Sequence, residues 1–183
     1  MKHTIAVLVE NHFGVLARVA GLFSARGFNI DSLAVGETQD PEISRMTVIA
    51  KGDDRVVDQI MKQLNKLVDV ISVKDLTDGD VIDRELVLIK IGANATNRND
   101  IMHVVNTFRA KIVDVSPESM TIEVTGSEGK IDAMLELLRP FDLREVVRTG
   151  QIAMARRTEI AMPSKKCARK PAVSKTKKAS KKK

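Results

Sequence analysis

The chain has 183 residues, which is enough for one domain or for two small domains with buried cores. A single cysteine, Cys167, excludes a disulfide scaffold and a multi-cysteine zinc site. No apolar segment approaches the ~20 residues that cross a bilayer, and the first residues lack the layout of a secretory signal peptide. We therefore expect a cytoplasmic protein.

The net charge of +6 is distributed unevenly along the chain. Residues 163–183 hold ten basic residues and no acidic residue, so residues 1–162 carry a net charge of −4. The basic segment has no apolar periodicity, which predicts a disordered Lys-rich tail over 163–183. We expect a solvated extension, and the alternative is a weak, sequence-blind contact with nucleic acid.

The first half of the chain alternates strand and helix patterns. Residues from Ile5 to Val9 are apolar on both faces, which is typical of a strand in the middle of a sheet. A helical stripe follows and ends at Gly27, and then "FNIDSLAV" and "SRMTVIA" predict two strands. A second helix with Asp53 or Asp54 as its N-cap and a strand over "DVISVKDL" complete the unit.

The same order of elements repeats in the second half. The strands are "ELVLIKI", a hairpin of "KIVDV" and "MTIEVTG", and "LREVVRT", with one helical stripe before the hairpin and one after it. Both halves therefore follow the β-α-β-β-α-β order of the ferredoxin-like unit. The predicted fold class is α+β, with two ferredoxin-like domains at 1–77 and 84–160 separated by the polar segment "TDGDVIDR".

Catalytic motifs are missing from the sequence. It contains no Walker loop, no G-x-S-x-G elbow and no H-E-x-x-H motif. His3, His12 and His103 do not have metal-ligand spacing, and most carboxylates fall on expected helix surfaces or in loops. His12 is a possible general base, but it has no partner nearby in the sequence. These observations favour a binding or regulatory protein over an enzyme.

The segment Asn11-His12-Phe13-Gly14 interrupts the pattern between the first strand and the first helix. The N–H groups and the dipole at a helix N-terminus attract a carboxylate. Gly14 lets the backbone approach a ligand closely or adopt a positive φ. The side chain of Asn11 both donates and accepts hydrogen bonds, which suits a free amino acid. The alternative is an Asx-turn that only caps the helix.

Asn29 stands at the start of the second predicted strand. The ferredoxin-like sheet has the spatial order 4-1-3-2, so this strand lies at an edge, and an exposed edge with little charge is a template for pairing. Two copies joined there would form one eight-stranded sheet, with Asn29 of one copy facing the Asn11–Gly14 loop of the other. We therefore expect a homodimer with a ligand site at its interface.

The segment "LVENHFGVLARVAGLFSARGFNIDSLAVGETQDPEISRMT" closely resembles the ACT domain of the small, regulatory subunit of acetolactate synthase. Its most specific parts are "RGFNIDSL" and "SRMT", and the resemblance continues through "KQLNKLVDVISV" and "IVDVSPE" over about residues 3–160. It implies an N-terminal ACT domain over 1–77 and a C-terminal ACT-like domain over 84–160. His12 and Phe13 are bulkier than the residues of many relatives, and the Lys-rich tail lies outside the family pattern.

The resemblance implies that this chain regulates catalysis and has no catalytic activity alone. A small subunit of this family activates a larger catalytic subunit, which condenses two pyruvates to acetolactate, and confers feedback inhibition by valine, often also by leucine or isoleucine. Thiamine diphosphate, Mg and FAD are expected only in that catalytic subunit, and no metal ligand is expected in this chain. The effector-binding residues that the resemblance implies are Asn11, Gly14, Val15, Leu16, Asn29 and Ile30. The alternative is a stand-alone amino-acid-sensing ACT module, associated with nucleic acid through its basic tail.

Overall fold

The chain forms two consecutive β-α-β-β-α-β units in a computed structural model that describes residues 1–156. The first unit contains β1 (Lys2–Glu10), α1 (Val15–Ala25), β2 (Ile30–Glu37), β3 (Ile43–Lys51), α2 (Asp54–Leu64) and β4 (Val70–Asp75). The second contains β5 (Val81–Gly92), α3 (Arg98–Thr107), β6 (Lys111–Val115), β7 (Ser119–Gly126), α4 (Glu128–Leu138) and β8 (Leu143–Arg148), and β9 (Ile152–Ala155) follows it. The predicted tail over 163–183 lies outside the described residues.

Each unit contributes one antiparallel sheet. The strand order is β2-β3-β1-β4 in the first sheet and β6-β7-β5-β8 in the second, so the predicted fold class is confirmed. Strand β1 has a neighbour on each side, which explains its apolar residues on both faces. Strand β2 pairs only with β3 within the described part of the chain, as predicted for an edge strand. No helix in residues 1–156 is long and apolar enough to span a membrane.

The first sheet packs one face against α1 and α2. Alternate residues of β1 and β3 enter this core because side chains along a strand point to opposite faces. Its buried members are Ile5, Val7, Val9, Val15, Val19, Phe23, Met46, Val48, Ala50, Val57, Ile60 and Leu64. Asp53 caps α2, since its Oδ1 accepts a hydrogen bond of 2.8 Å from Val56 N, which confirms the first of the two predicted caps.

The second unit repeats this packing with α3 and α4. Its buried core consists of Val87, Ile89, Ile91, Ala93, Ile101, Val105, Met120, Ile122, Val124, Ile131, Met134 and Leu138. Equivalent backbone hydrogen bonds follow the first strand of each unit: Glu10 N to Asp69 O and Asn11 N to Glu42 O, and Gly92 N to Asp142 O and Ala93 N to Glu118 O. The repeat predicted from the sequence therefore extends to single hydrogen bonds.

A two-stranded ribbon joins the units, and its position differs from the sequence-based prediction. Strand β5 begins at Val81, inside the segment predicted as a polar connection, and its first four residues pair with β9, which was not predicted. We use the term ribbon for Val81–Arg84 together with Ile152–Ala155. The ribbon lies against the first sheet on the face away from α1 and α2, where Ala153 packs on Ala6 and Leu76. That contact explains why the segment is a strand despite its charge.

The segment before β9 makes a further contact between the two units. Gln151 N donates a hydrogen bond of 3.1 Å to Ser32 Oγ on β2. Gly150 has φ +86°, and a Cβ on it would lie 3.0 Å from Ser32 Oγ and 3.2 Å from Leu33 O. An ion pair between Lys2 and Glu128 also links the units. The segment before β9 therefore lies so close to β2 that a glycine fits at position 150 better than a residue with a Cβ.

Candidate functional site

The loop between β1 and α1 ends at Gly14, which is the N-cap of α1 with φ 89° and ψ −11°. No side chain in residues 1–156 caps α1, and the first turn contains no acidic residue. Arg18 N donates to Gly14 O at 3.0 Å, so the helix is regular from its first turn. The alternative in which Asn11 only caps the helix is therefore wrong. An uncapped helix start attracts anions through its N–H groups and dipole.

Asn11 connects the loop to the end of the edge strand β2. Its backbone N donates to Glu42 O at 2.7 Å, and its Nδ2 donates to Pro41 O at 2.9 Å and to Glu37 Oε1 at 3.2 Å. Both amide hydrogens are used by these contacts, whereas Asn11 Oδ1 accepts no hydrogen bond from residues 1–156. The side chain is held in one orientation and presents its oxygen as the remaining acceptor.

His12 belongs to a polar network at the base of the loop. Its Nε2 lies 3.3 Å from Glu10 Oε2 and 3.2 Å from Asp69 Oδ1, while its Nδ1 lies 3.2 Å from Phe13 O. Arg18 contacts the other oxygen of the buried Asp69 at 2.6 Å. Both ring nitrogens of His12 therefore lie within 3.3 Å of oxygen atoms of the loop or of Asp69.

The two carboxylates and the imidazole of this network are close enough together to share a metal ion. One ligand atom from each of Glu10, His12 and Asp69 lies within 4.8 Å of the others. Arg18 already occupies one oxygen of Asp69, which places a positive charge beside any cation in that position. The contacts account for these residues as a network that holds the loop against the start of β4.

The apolar residues near the loop divide into buried and exposed positions. Val15 is buried in the first core, so its side chain does not face the loop. Phe13 is fully exposed at 100%, and Leu16 is 46% exposed on the first turn of α1. Leu16 and Phe13 are therefore apolar side chains of the loop and of the helix start that are accessible to a ligand or to another protein.

Asn29 and Ile30 lie at the other end of the first sheet. Ile30 pairs with Ala50, which pairs with His3 near the start of β1, and Ile30 packs against the first core. Asn29 Nδ2 donates to Asp31 Oδ1 at 2.7 Å. Within one chain, the six predicted site residues therefore form two groups at opposite ends of the sheet, with Asn11, Gly14 and Leu16 in the first group.

Two acidic neighbours of Asn11 and His12 were not predicted from the sequence. Glu37 is the last residue of β2, and Asp69 directly precedes β4. Because β4 is antiparallel to β1, the residue before β4 must lie beside the residue that ends β1. The topology that the sequence predicts therefore contains the signal for Asp69, whereas Glu37 depends on where β2 ends.

The comparisons with known proteins agree with this geometry in both units. Residues 5–72 match the family model described as an AHAS small subunit-like ACT domain, and residues 84–157 match the model described as the small subunit of acetolactate synthase. A probable acetolactate synthase small subunit from Archaeoglobus fulgidus is 55% identical over 156 residues, covering 85% of this chain and 98% of the relative.

The chain belongs to the acetolactate synthase small-subunit family. An acetolactate synthase small subunit from Mycobacterium bovis is 51% identical over 154 residues, covering 84% of this chain and 92% of the relative. The crystal structure of the acetolactate synthase small subunit from Thermotoga maritima has a TM-score of 0.79 at 41% identity, with 86% of this chain and 99% of that chain covered. Similarity to this family therefore extends through both units.

Proposed function

We propose that this chain binds and activates the catalytic subunit of acetolactate synthase and makes that subunit sensitive to valine. The observation that carries the proposal is the 55% identity to a named small subunit over 98% of that relative's length. A protein that only sensed amino acids would need the first unit alone, whereas the match to the family includes residues 84–157. In this proposal, the catalytic subunit and not this chain binds thiamine diphosphate, Mg and FAD. The complex is located in the cytoplasm.

The test of this role is reconstitution with the cognate catalytic subunit. The isolated chain should make no acetolactate from pyruvate, even with thiamine diphosphate and magnesium. Its addition should raise the turnover of the catalytic subunit and make the rate fall when valine is added. If valine binds to the chain but the catalytic subunit is neither retained nor activated, the chain is a stand-alone sensing module and the proposal is wrong.

We place the effector at the loop between β1 and α1. The uncapped N-terminus of α1 suits a carboxylate, and Asn11 Oδ1 suits an ammonium group. Leu16 supplies an exposed apolar side chain for an aliphatic effector. The side chains of Val15 and Ile30 support the site from the first core, because both pack against that core. Gly14 keeps the helix start open to a ligand because it has no side chain.

A homodimer through β2 would complete this site with Asn29. When two copies of an edge strand pair antiparallel, the start of one strand lies beside the end of the other. Asn29 stands at the start of β2, and Glu37 at its end is hydrogen-bonded to Asn11. A two-fold axis near the middle of β2 therefore brings Asn29 of one copy to the loop of the other copy. Gln151 N donates its hydrogen bond to the side chain of Ser32. This contact therefore does not use the backbone groups through which the edge of β2 would pair with a second copy.

Valine binding to this site is measurable as stabilisation of the dimer. At about a hundredfold above its dissociation constant, a ligand specific for the folded state adds about 2.7 kcal/mol. The variant Asn29→Ala should lose most of the valine-induced rise in melting temperature and keep the fold, because Asn29 is exposed. The matched control is Asn99→Ala, an exposed asparagine of α3 whose side chain makes no hydrogen bond with residues 1–156. A normal response of Asn29→Ala to valine would exclude this site.

A further inference from the structure

A cavity of about 440 Å³ lies between the first sheet and the ribbon. Its walls include Ala34, Arg45 and Thr47 from β2 and β3, and Ile82, Ile152 and Met154 from the ribbon. The volume is within the usual range for small-molecule sites, which is about 300–1,000 Å³. Arg45 and Thr47 belong to the "SRMT" motif, to which the loop site gives no role.

Arg45 places a positive charge in this cavity without an acidic partner. Its side chain is partly buried, and one guanidinium nitrogen donates to Ala153 O at 2.7 Å. None of the ion pairs within residues 1–156 includes Arg45. Desolvation lowers the pKa of Arg45. A guanidinium that has lost water without gaining an anion is destabilised, and a bound anion would remove that penalty.

The other walls of the cavity restrict the chemistry of that anion. Arg84 lines the same cavity, donates to Asp83 O at 2.6 Å and is in no ion pair of the described residues. The ribbon adds the aliphatic side chains of Ile82, Ile152 and Met154 to the lining of the cavity. More than half of the surface of Ile152 and Met154 is exposed, so a ligand in the cavity would cover apolar surface that is now in water.

The cavity offers little to an ammonium group. Glu37 is the one acidic residue among its described lining residues, and Glu37 Oε1 already accepts a hydrogen bond from Asn11 Nδ2. Two cations against one carboxylate, together with aliphatic walls, suit a carboxylate without an amino group better than an amino acid. We propose that this cavity binds a small aliphatic carboxylate, with the carboxylate on Arg45 and the hydrocarbon chain on the ribbon. The proposal does not rest on the valine site or on the catalytic partner.

A ligand in this position would touch both units at once. Arg45 and Thr47 come from the first unit, whereas Ile82 comes from β5 and Met154 comes from β9. Because the ligand would bridge the first sheet and the ribbon, its binding should stabilise their contact. The competing occupant is a second copy of this chain, since β2 is an edge strand and Val35 is exposed beside the cavity.

The experiment titrates the full chain with isovalerate and follows methyl signals by NMR. Saturable shifts of the Ile82 and Met154 methyl groups are expected, with smaller changes at Ile101 and Met134 in the second core. Isovaleramide, which lacks the charge, and acetate, which lacks the hydrocarbon chain, should each bind at least ~10-fold more weakly. Chemical shifts that change with the protein concentration and not with the isovalerate concentration would show that a second copy covers the cavity. That result would overturn the proposal.

Substitutions at the two arginines test the assigned contacts. Arg45→Met should weaken isovalerate binding at least ~10-fold, and Arg84→Met should weaken it less because Arg84 is exposed. The control Arg55→Met removes an exposed arginine of α2 that is in no ion pair of residues 1–156 and should leave binding unchanged. Arg84→Met leaves the Arg45 contact to Ala153 intact, so it remains informative if Arg45→Met unfolds. Unchanged binding in a folded Arg45→Met, or in Arg84→Met, would overturn the proposal.

Discussion

Gly14 has a backbone conformation that other residues rarely adopt, with φ 89°. The variant Gly14→Ala should lower the free energy of unfolding by about 1–3 kcal/mol, because an alanine there is strained. The control is Gly21→Ala in the middle of α1, where a Cβ meets no described atom within 4 Å. That variant should raise the free energy of unfolding by about 0.5–1 kcal/mol. Urea unfolding measures both, and equal effects would show that Gly14 is not required by its conformation.

Asp31 connects Asn29 to a charged partner on β3. The Lys51 ammonium, 3.1 Å from Asp31 Oδ2, lowers the pKa of that carboxyl below its ordinary value of 3.8. Because the folded-state pKa is depressed, the stabilisation is present above about pH 3.8 and is lost as the pH falls through the folded pKa. The variant Lys51→Met should therefore raise the pKa of Asp31 towards 3.8, as followed by the carboxyl carbon signal in NMR.

The control for this titration is Lys62→Met, which removes an equally exposed lysine that pairs with Asp58 on α2. It should leave the pKa of Asp31 where it is in the parent chain. If both variants changed the pKa of Asp31 by the same amount, the general charge of the protein, and not the contact with Lys51, would be its cause.

At the scale of the elements, the sequence predicted the helices and strands whose apolar residues pack into a hydrophobic core. The helices and most strands have apolar residues at periods that match their buried faces, and the N-cap Asp53 follows from local chemistry. The ribbon was missed because β9 has only four residues and because two of the four ribbon residues of β5 are Asp83 and Arg84. Its strands are determined by a contact with the first sheet, which a local pattern does not contain.

The candidate site shows the same division between local and distant information. Gly14 was predicted from its place before a helix, and its positive φ agrees with that reasoning. The hydrogen bond of Asn11 to Glu37 and the contact of His12 Nε2 with Asp69 Oδ1 join residues that are far apart in the sequence. Such contacts follow from the sheet order, so they become predictable only after the topology is known. The role of these residues in effector binding stays a prediction.

The N-cap of α2 provides a test at this scale. Asp53→Ala removes the hydrogen bond to Val56 N and should lower the free energy of unfolding by about 1 kcal/mol. The control Asp58→Ala removes an exposed acidic residue of the same helix, whose one ion pair within residues 1–156 is with Lys62, and should change stability by no more than about 0.5 kcal/mol. Thermal unfolding followed by circular dichroism measures both. Equal losses would indicate that helix charge, and not the cap, is the cause.

At the scale of the whole molecule, Gly150 lies where the segment before β9 contacts β2 of the first unit. Gly150→Ala adds a Cβ within 3.2 Å of Leu33 O at a residue with φ +86°, so it should lower the free energy of unfolding by about 1–3 kcal/mol. Amide hydrogen exchange should accelerate at Ser32 and Leu33 and stay slow in the second core. The control Gly129→Ala lies in α4, where a Cβ meets no described atom within 4 Å, and should not accelerate exchange at β2.

Strand β5 runs from the ribbon into the second sheet without interruption. Its first four residues pair with β9 beside the first sheet, and the following eight lie between β7 and β8 in the second sheet. Twelve residues of strand span about 40 Å, and the backbone offers no loop between Arg84 and Glu85 in which a rotation could be absorbed. The strand therefore connects the ribbon to the second sheet directly. A tilt of the ribbon relative to the first sheet would be carried along β5 towards Gly92, its last residue in the second sheet.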